Sequence, residues 1–245
     1  MIGPGEIAAL AAIAFLGALV FGITGFGAAL VTIPLATHFV PLPFALALFA
    51  LGDLAMALSV GLENPRNAVR SEWTRLVPMI LVGTALGVTL LVNLPRQAGM
   101  LLLGLFVFTF ALYSLSRKSS KRILASWWAW VAGLAGGITS TLFGAGGPPY
   151  AIYLSQRGLT KEQFRATMGF ATMTSISLRV VAFLLTGLLL EADVWTAALA
   201  VIPAALVGIA AARLAFNRIS REALLKVVGL MLLASGGALV VRALG

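Results

Sequence analysis

Two ionisable side chains stand near the middle of long apolar stretches of this chain, Asp53 and Arg179. A charge at bilayer depth costs at least ~2.5 kcal/mol on insertion scales, so it is retained for a function or for a partner. Arg179 shares a helical face with Ser175 and Thr172, four and seven positions earlier. That polar stripe must turn away from lipid. An arginine fork beside hydroxyls suits the oxygens of a small oxyanion. Asp53 has two compatible readings: a structural counter-charge for Arg179, and a coupling site that holds Arg179 until substrate or a proton arrives.

The second chemical feature is main chain. Phe143 to Tyr153 reads FGAGGPPYAIY. Pro148 and Pro149 lack N–H groups, and Gly144, Gly146 and Gly147 permit conformations that other residues avoid. The spacing predicts a helix that stops, a short unwound stretch, and a second short helix. Pro149 sits in the first turn of that helix, which begins near Tyr150. A weaker interruption, GITGFG, contains Gly22, Gly25, Phe26 and Gly27. Unwound backbone is tolerated inside a membrane only where protein or water satisfies it. Free N–H groups and about half a positive charge at a helix N-terminus favour an anion there. Gly25, Phe26 and Gly27 are therefore candidate substrate contacts, together with Phe143, Gly144, Ala145, Gly146, Gly147, Pro148, Pro149, Tyr150, Thr172, Ser175 and Arg179. Phe26, Phe143, Tyr150 and Tyr153 can wall the organic part of a substrate, and ordinary packing explains each of them equally well.

The elements that must position these residues are apolar helices. Of 245 residues, 60% are hydrophobic and 10% charged, against roughly 25% charged in a soluble domain. This describes an all-α, polytopic transmembrane bundle. The expected spans are 7–21, 42–62, 76–92, 98–115, 123–141, 164–189, 194–216 and 223–241. Short half-helices end near Thr37 and Ser155. That makes about eight full spans with two broken or re-entrant segments. Trp127, Trp128 and Trp130 form an interfacial anchor. His38 reads as a capping or interfacial histidine, and Lys226 as a snorkelling side chain. Small residues such as Gly83, Gly87, Gly104, Gly208 and Gly229 read as helix-packing positions.

The halves repeat, 1–116 and 123–245 on either side of a basic loop at 117–122. Phe26-Gly27-Ala28 lines up with Phe143-Gly144-Ala145, Pro78 before LVG with Pro203 before LVG, and Gly104 with Gly229. The net charge is +9, with 17 basic and 8 acidic residues. It lies mostly in short loops, where it orients helices rather than binding nucleic acid. Loop 117–122 carries four basic residues and no acid, so it is cytoplasmic. The loops 63–75, 156–165 and 217–222 join it on that side only if the broken segments turn back. The two repeats are then inverted, a plan used for alternating access.

At GITGFGAALVTIPL and FGAGGPPYAIYL the chain resembles the sulfite exporter TauE/SafE family, also called the toluene sulfonate uptake permeases. The double glycine before a double proline is the specific part, and the resemblance runs over the whole length through the repeat. It implies a multi-pass carrier in a bacterial inner membrane for small anions such as sulfite, sulfoacetate or related sulfonates and carboxylates. The first motif has Ala29-Leu30-Val31-Thr32 where the second has Gly146-Gly147-Pro148-Pro149. The site is accordingly expected to be asymmetric, with less backbone from the first motif.

An anion channel could share the breaks. A membrane-embedded enzyme would need a nucleophile and base, or a metal cluster, from a chain with one histidine and no cysteine. No cofactor or metal is expected. A coupling proton or sodium ion and a homo-oligomer are both compatible with the chain. Direction of transport does not follow from residues.

Overall fold

The computed structural model describes residues 3–116 and 123–215, together with Leu233, Gly237 and Val241. The helices are α1 (Pro4–Thr24), α2 (Ala28–Ala36), α3 (Leu42–Gly61), α4 (Arg70–Asn93), α5 (Arg96–Ser116), α6 (Trp128–Phe143), α7 (Gly147–Leu154), α8 (Lys161–Leu185) and α9 (Ala192–Ala215). A 3-10 turn lies at Pro65–Asn67, and no strand occurs among the described residues. The loop 117–122, the turn 217–222 and nearly all of the expected span 223–241, with Lys226 and Gly229, lie outside the described residues.

Five helices, α1, α3, α4, α8 and α9, are long and apolar enough to cross a membrane. Helices α5 and α6 carry shorter apolar stretches, Gln97–Tyr113 and Trp128–Phe143. Of the about eight full spans expected, five meet this measure among the described residues, and the last lies almost wholly outside them. The outer faces are apolar: Leu185 is 82% exposed, Leu199 79% and Leu214 81%. Side chains this bare are costly in water and at home in hydrocarbon.

Several boundaries move from their expected positions because tertiary contacts extend or shorten a helix. Helix α1 runs on to Thr24, and Gly22 is helical. It serves contact with α9, since a Cβ on it would lie 2.5 Å from the Ala212 methyl. Helix α4 starts at Arg70, not Leu76, pinned to α8 through Val69 N–H on Thr167 Oγ1 (2.9 Å) and Trp73 Nε1–H on Thr174 Oγ1 (3.0 Å). Helix α8 starts at Lys161 because Thr160 and Gln163 cap each other reciprocally, an arrangement worth about 1 kcal/mol. Helix α6 begins only at Trp128, with Trp127 and Trp128 exposed and stacked at 4.5 Å.

The 16 residues of α6 rise about 24 Å, short of the ~30 Å hydrocarbon core. It is followed by α7, which turns back. Beyond α7, the Gln156 carbonyl accepts from Leu124 N–H at 2.9 Å, just ahead of α6. The α6–α7 unit therefore enters and leaves at one end of the bundle. Glu63 and Arg165 meet at 3.4 Å at that end too, so loops 63–75 and 156–165 lie together.

The most extensive interfaces are α4 against α6 and α1 against α9, with α3 against α8 in the middle. Glycines make the two outer pairs close. A Cβ on Gly83 would sit 2.4 Å from the Leu134 carbonyl of α6, and one on Gly208 would sit 2.7 Å from the Phe15 carbonyl of α1. Exchanging α1, α3 and α4 for α6, α8 and α9 carries the main pairings onto one another. The α1–α9 pair becomes α6–α4, α3–α9 becomes α8–α4, and α3–α8 maps onto itself.

Candidate functional site

The two interruptions meet inside the bundle. Helix α1 ends on Gly25 (φ +79°) and α6 on Gly144 (φ +72°), both left-handed, the conformation that lets a helix stop without strain on a Cβ. Gly27 (φ +89°) then starts α2. Gly144 lies against α2, where an added Cβ would fall 2.8 Å from the Ala29 methyl. Phe26 of the first break covers Gly147 of the second, where a Cβ would lie 2.7 Å from Phe26 Cβ.

Between the breaks is a cavity of about 20 Å³, room for roughly one water. Phe26 to Ala29 line it from the first half, and Gly144 to Gly147 with Tyr150 from the second. Thr172 and Ser175 contribute from α8, Asp53 from α3, and Ser140 from α6. Of the residues singled out in the sequence, Gly25, Phe143, Pro148, Pro149 and Arg179 do not line it. Phe143 instead stacks on Phe106 at 5.0 Å and faces a separate apolar cavity of about 410 Å³ beside Pro41, Leu91 and Leu94.

Helix α7 starts at Gly147, three residues ahead of the expected Tyr150. Two prolines fit there because the first N–H groups of a helix have no intrahelical partner. The consequence reverses the expected asymmetry. The first turn of α2 keeps the N–H groups of Ala28 and Ala29, whereas Pro148 and Pro149 have none to offer.

The polar stripe on α8 is inward, with Thr172, Ser175 and Arg179 all buried. Thr172 donates to the Met168 and Gly169 carbonyls of its own helix. Ser175 Oγ accepts from Tyr150 O–H at 3.0 Å. Arg179 donates through Nη2 to Asp53 Oδ2 (2.7 Å) and through Nη1 to the Ser140 carbonyl (3.0 Å). Both charged side chains are at most 5% exposed. Asp53 Oδ1 and Arg179 Nε have no hydrogen-bond partner among the described residues. The counter-charge reading of Asp53 is thus realised in this state. His38 Nδ1 lies 3.0 Å from the Pro34 carbonyl, the capping role expected of it.

A second buried polar cluster escaped the sequence reading. Glu72, placed there in a polar loop, is 5% exposed in the first turn of α4. It pairs with Arg157 (2.8 Å) and Arg75 (3.2 Å) and accepts from Tyr153 O–H. Arg157 also donates to the Leu124 carbonyl. The hydrogen bond that Arg157 donates to Glu72 holds its guanidinium above its ordinary pKa. Tyr153, considered as an apolar wall, belongs to this cluster instead. The available signal was Glu72 at the third helical position ahead of Trp73 and Leu76, an acid placed to favour a helix start. Glu72→Ala leaves Arg157 without its carboxylate, and a broken buried pair costs about 3–5 kcal/mol, discounted here because Arg157 is 17% exposed. A lower melting temperature is expected for the purified variant, with Glu72→Gln losing less. An unchanged melting temperature in both would remove this cluster from the stability account.

The sulfite exporter TauE/SafE family model matches residues 10–239. No curated protein and no solved structure matches the chain. The matched region runs from α1 across both glycine breaks and beyond α9, so one description covers the apolar helices and the cavity together: the chain is a multi-pass membrane protein belonging to the sulfite exporter TauE/SafE family of transporters.

Proposed function

We propose that this protein is a secondary carrier of the bacterial inner membrane. It moves sulfite, sulfoacetate or a related sulfonate or carboxylate by alternating access, and holds the anion where the two breaks meet. The observation that carries this reading is the contact between them: Phe26 lies over Gly147 and Gly144 lies against Ala29, beside a buried Asp53–Arg179 pair. Two helix N-termini and a hydroxyl-bearing face of α8 converge there, an arrangement that offers donors to an oxyanion. The exchange-symmetric helix pairing and the returning α6–α7 unit support two repeats of inverted orientation.

A cavity the size of one water is too small for a sulfur oxyanion, so binding requires the breaks to part. That fits a carrier between turnovers better than a standing pore. No enzymatic step is assigned. The glycine main chain of the two breaks lines the site with Asp53, Tyr150 and Ser175, and Arg179 holds Asp53 from behind it.

The test is sulfite flux into liposomes reconstituted with the purified protein. Gly147→Val places a branched side chain on Phe26 and is expected to reduce flux at least tenfold, a barrier change of about 1.4 kcal/mol. Detergent-solubilised variant should remain monodisperse. Full activity in Gly147→Val would remove the second break from the site.

A further inference from the structure

The cavity also carries information about the charge of what it takes, given the reading that the anion lies between the breaks. We infer that the site admits one net negative charge together with one ionisable hydrogen, so that sulfite is bound as hydrogensulfite with its hydrogen facing Asp53 Oδ1.

Asp53 and Arg179 cancel as an ion pair. The other charged residues on helices packed around α3 lie toward helix ends: Glu6 on α1, Arg96 on α5, Lys161, Glu162 and Arg165 on α8, and Asp193 and Arg213 on α9. Helices α2 and α6 carry none. What remains among the described residues is the N-terminus of α2, with the N–H groups of Ala28 and Ala29, and that of α7, where Pro148 and Pro149 carry no N–H. A helix N-terminus is equivalent to at most roughly +0.5 elementary charge, so the two together balance no more than about one negative charge. A dianion would leave a surplus charge in an enclosed space next to the Asp53 carboxylate, where Coulomb repulsion is poorly screened.

Asp53 is 4% exposed, lines the cavity and has Oδ1 without a partner among the described residues. A buried carboxylate oxygen needs a donor. The cavity also holds donors. Ser175 accepts from Tyr150 and so keeps its own hydrogen to give. The N–H groups of Ala28 and Ala29 open α2. A ligand that satisfies both sides needs several acceptors and one hydrogen, and hydrogensulfite has both.

The experiment is calorimetric titration of the purified full chain with sulfite, in buffers of different ionisation enthalpy. Above the second ionisation of sulfite, about one proton should be taken up per anion bound, and affinity should fall about tenfold per pH unit. Asp53→Asn leaves the Arg179 charge unopposed and is expected to bind sulfite with no proton uptake. Wild-type binding without proton uptake overturns this inference and leaves the anion site standing. Continued uptake in Asp53→Asn also overturns it. No binding of sulfite, sulfoacetate or methanesulfonate by the wild type at any pH would overturn the site itself. If Asp53→Asn does not fold, the wild-type proton count decides alone.

Discussion

Arg179→Ala is expected to lose about 3–5 kcal/mol of stability, because it leaves Asp53 as an uncompensated charge in the middle of the bundle. The Ser140 carbonyl loses a donor in the same change. The measurement is thermal unfolding in detergent, with wild type and variant side by side. The size of the loss comes from the stranded partner and not from the worth of the bond. Replacing both residues, Arg179→Met with Asp53→Leu, is therefore expected to recover most of the stability, since a buried pair is often matched by apolar residues of similar volume. Neither variant should bind sulfite. An Arg179→Ala protein that melts with the wild type would mean that Asp53 does not depend on this partner. A double variant no better than the single would mean that the loss comes from packing.

Gly137→Val is expected to be at least as damaging, for a steric reason. A Cβ at Gly137 would lie 2.5 Å from the Ile80 carbonyl oxygen and 2.9 Å from both Gly83 Cα and Thr84 N. All three are backbone atoms of α4, and no side chain can swing aside. Overpacking in a well-packed core costs about 1–3 kcal/mol and occasionally more. Here the only relief is separation of α4 from α6, one of the two most extensive helix interfaces. Gly5 is the control, because a Cβ there meets nothing within 4 Å. The expected outcome is little folded protein for Gly137→Val and wild-type yield for Gly5→Val, read by size-exclusion chromatography of the solubilised proteins. Equal yields would mean that the α4–α6 contact is looser than the backbone spacing implies.

The two predictions separate what was readable in the residues from what was not. Gly25 and Gly144 were legible as places where helices stop, since a glycine in the left-handed region ends a helix by local conformation alone. The packing role of Gly83 and Gly208 was legible for a similar reason: small residues recur where membrane helices approach. Gly22 was misread because glycine in a break and glycine at a helix contact are identical in sequence. Only the nearness of Ala212 on α9 tells them apart.

Charged residues divide in the same way. Asp53 and Arg179 announced themselves by being alone in apolar surroundings. Glu72 and Arg157 did not, because each sits in a stretch already rich in charge and polar residues. Burial of Glu72 depends on Tyr153 and Arg157, 81 and 85 positions later in the chain. No local pattern encodes a partner at that distance.

By itself, the sequence determined that this is a helical membrane protein, where its helices break, and which two deep charges need an explanation. Each of these follows from local chemistry: transfer of side chains into hydrocarbon, missing N–H groups, and the freedom of glycine. Only the tertiary structure decided that the breaks face each other, that Arg179 is occupied by Asp53 and Ser140, and that Asp53 lines the cavity with one carboxylate oxygen unpartnered among the described residues. Those depend on which helices lie side by side, and that is set by close backbone contacts between segments far apart in the chain.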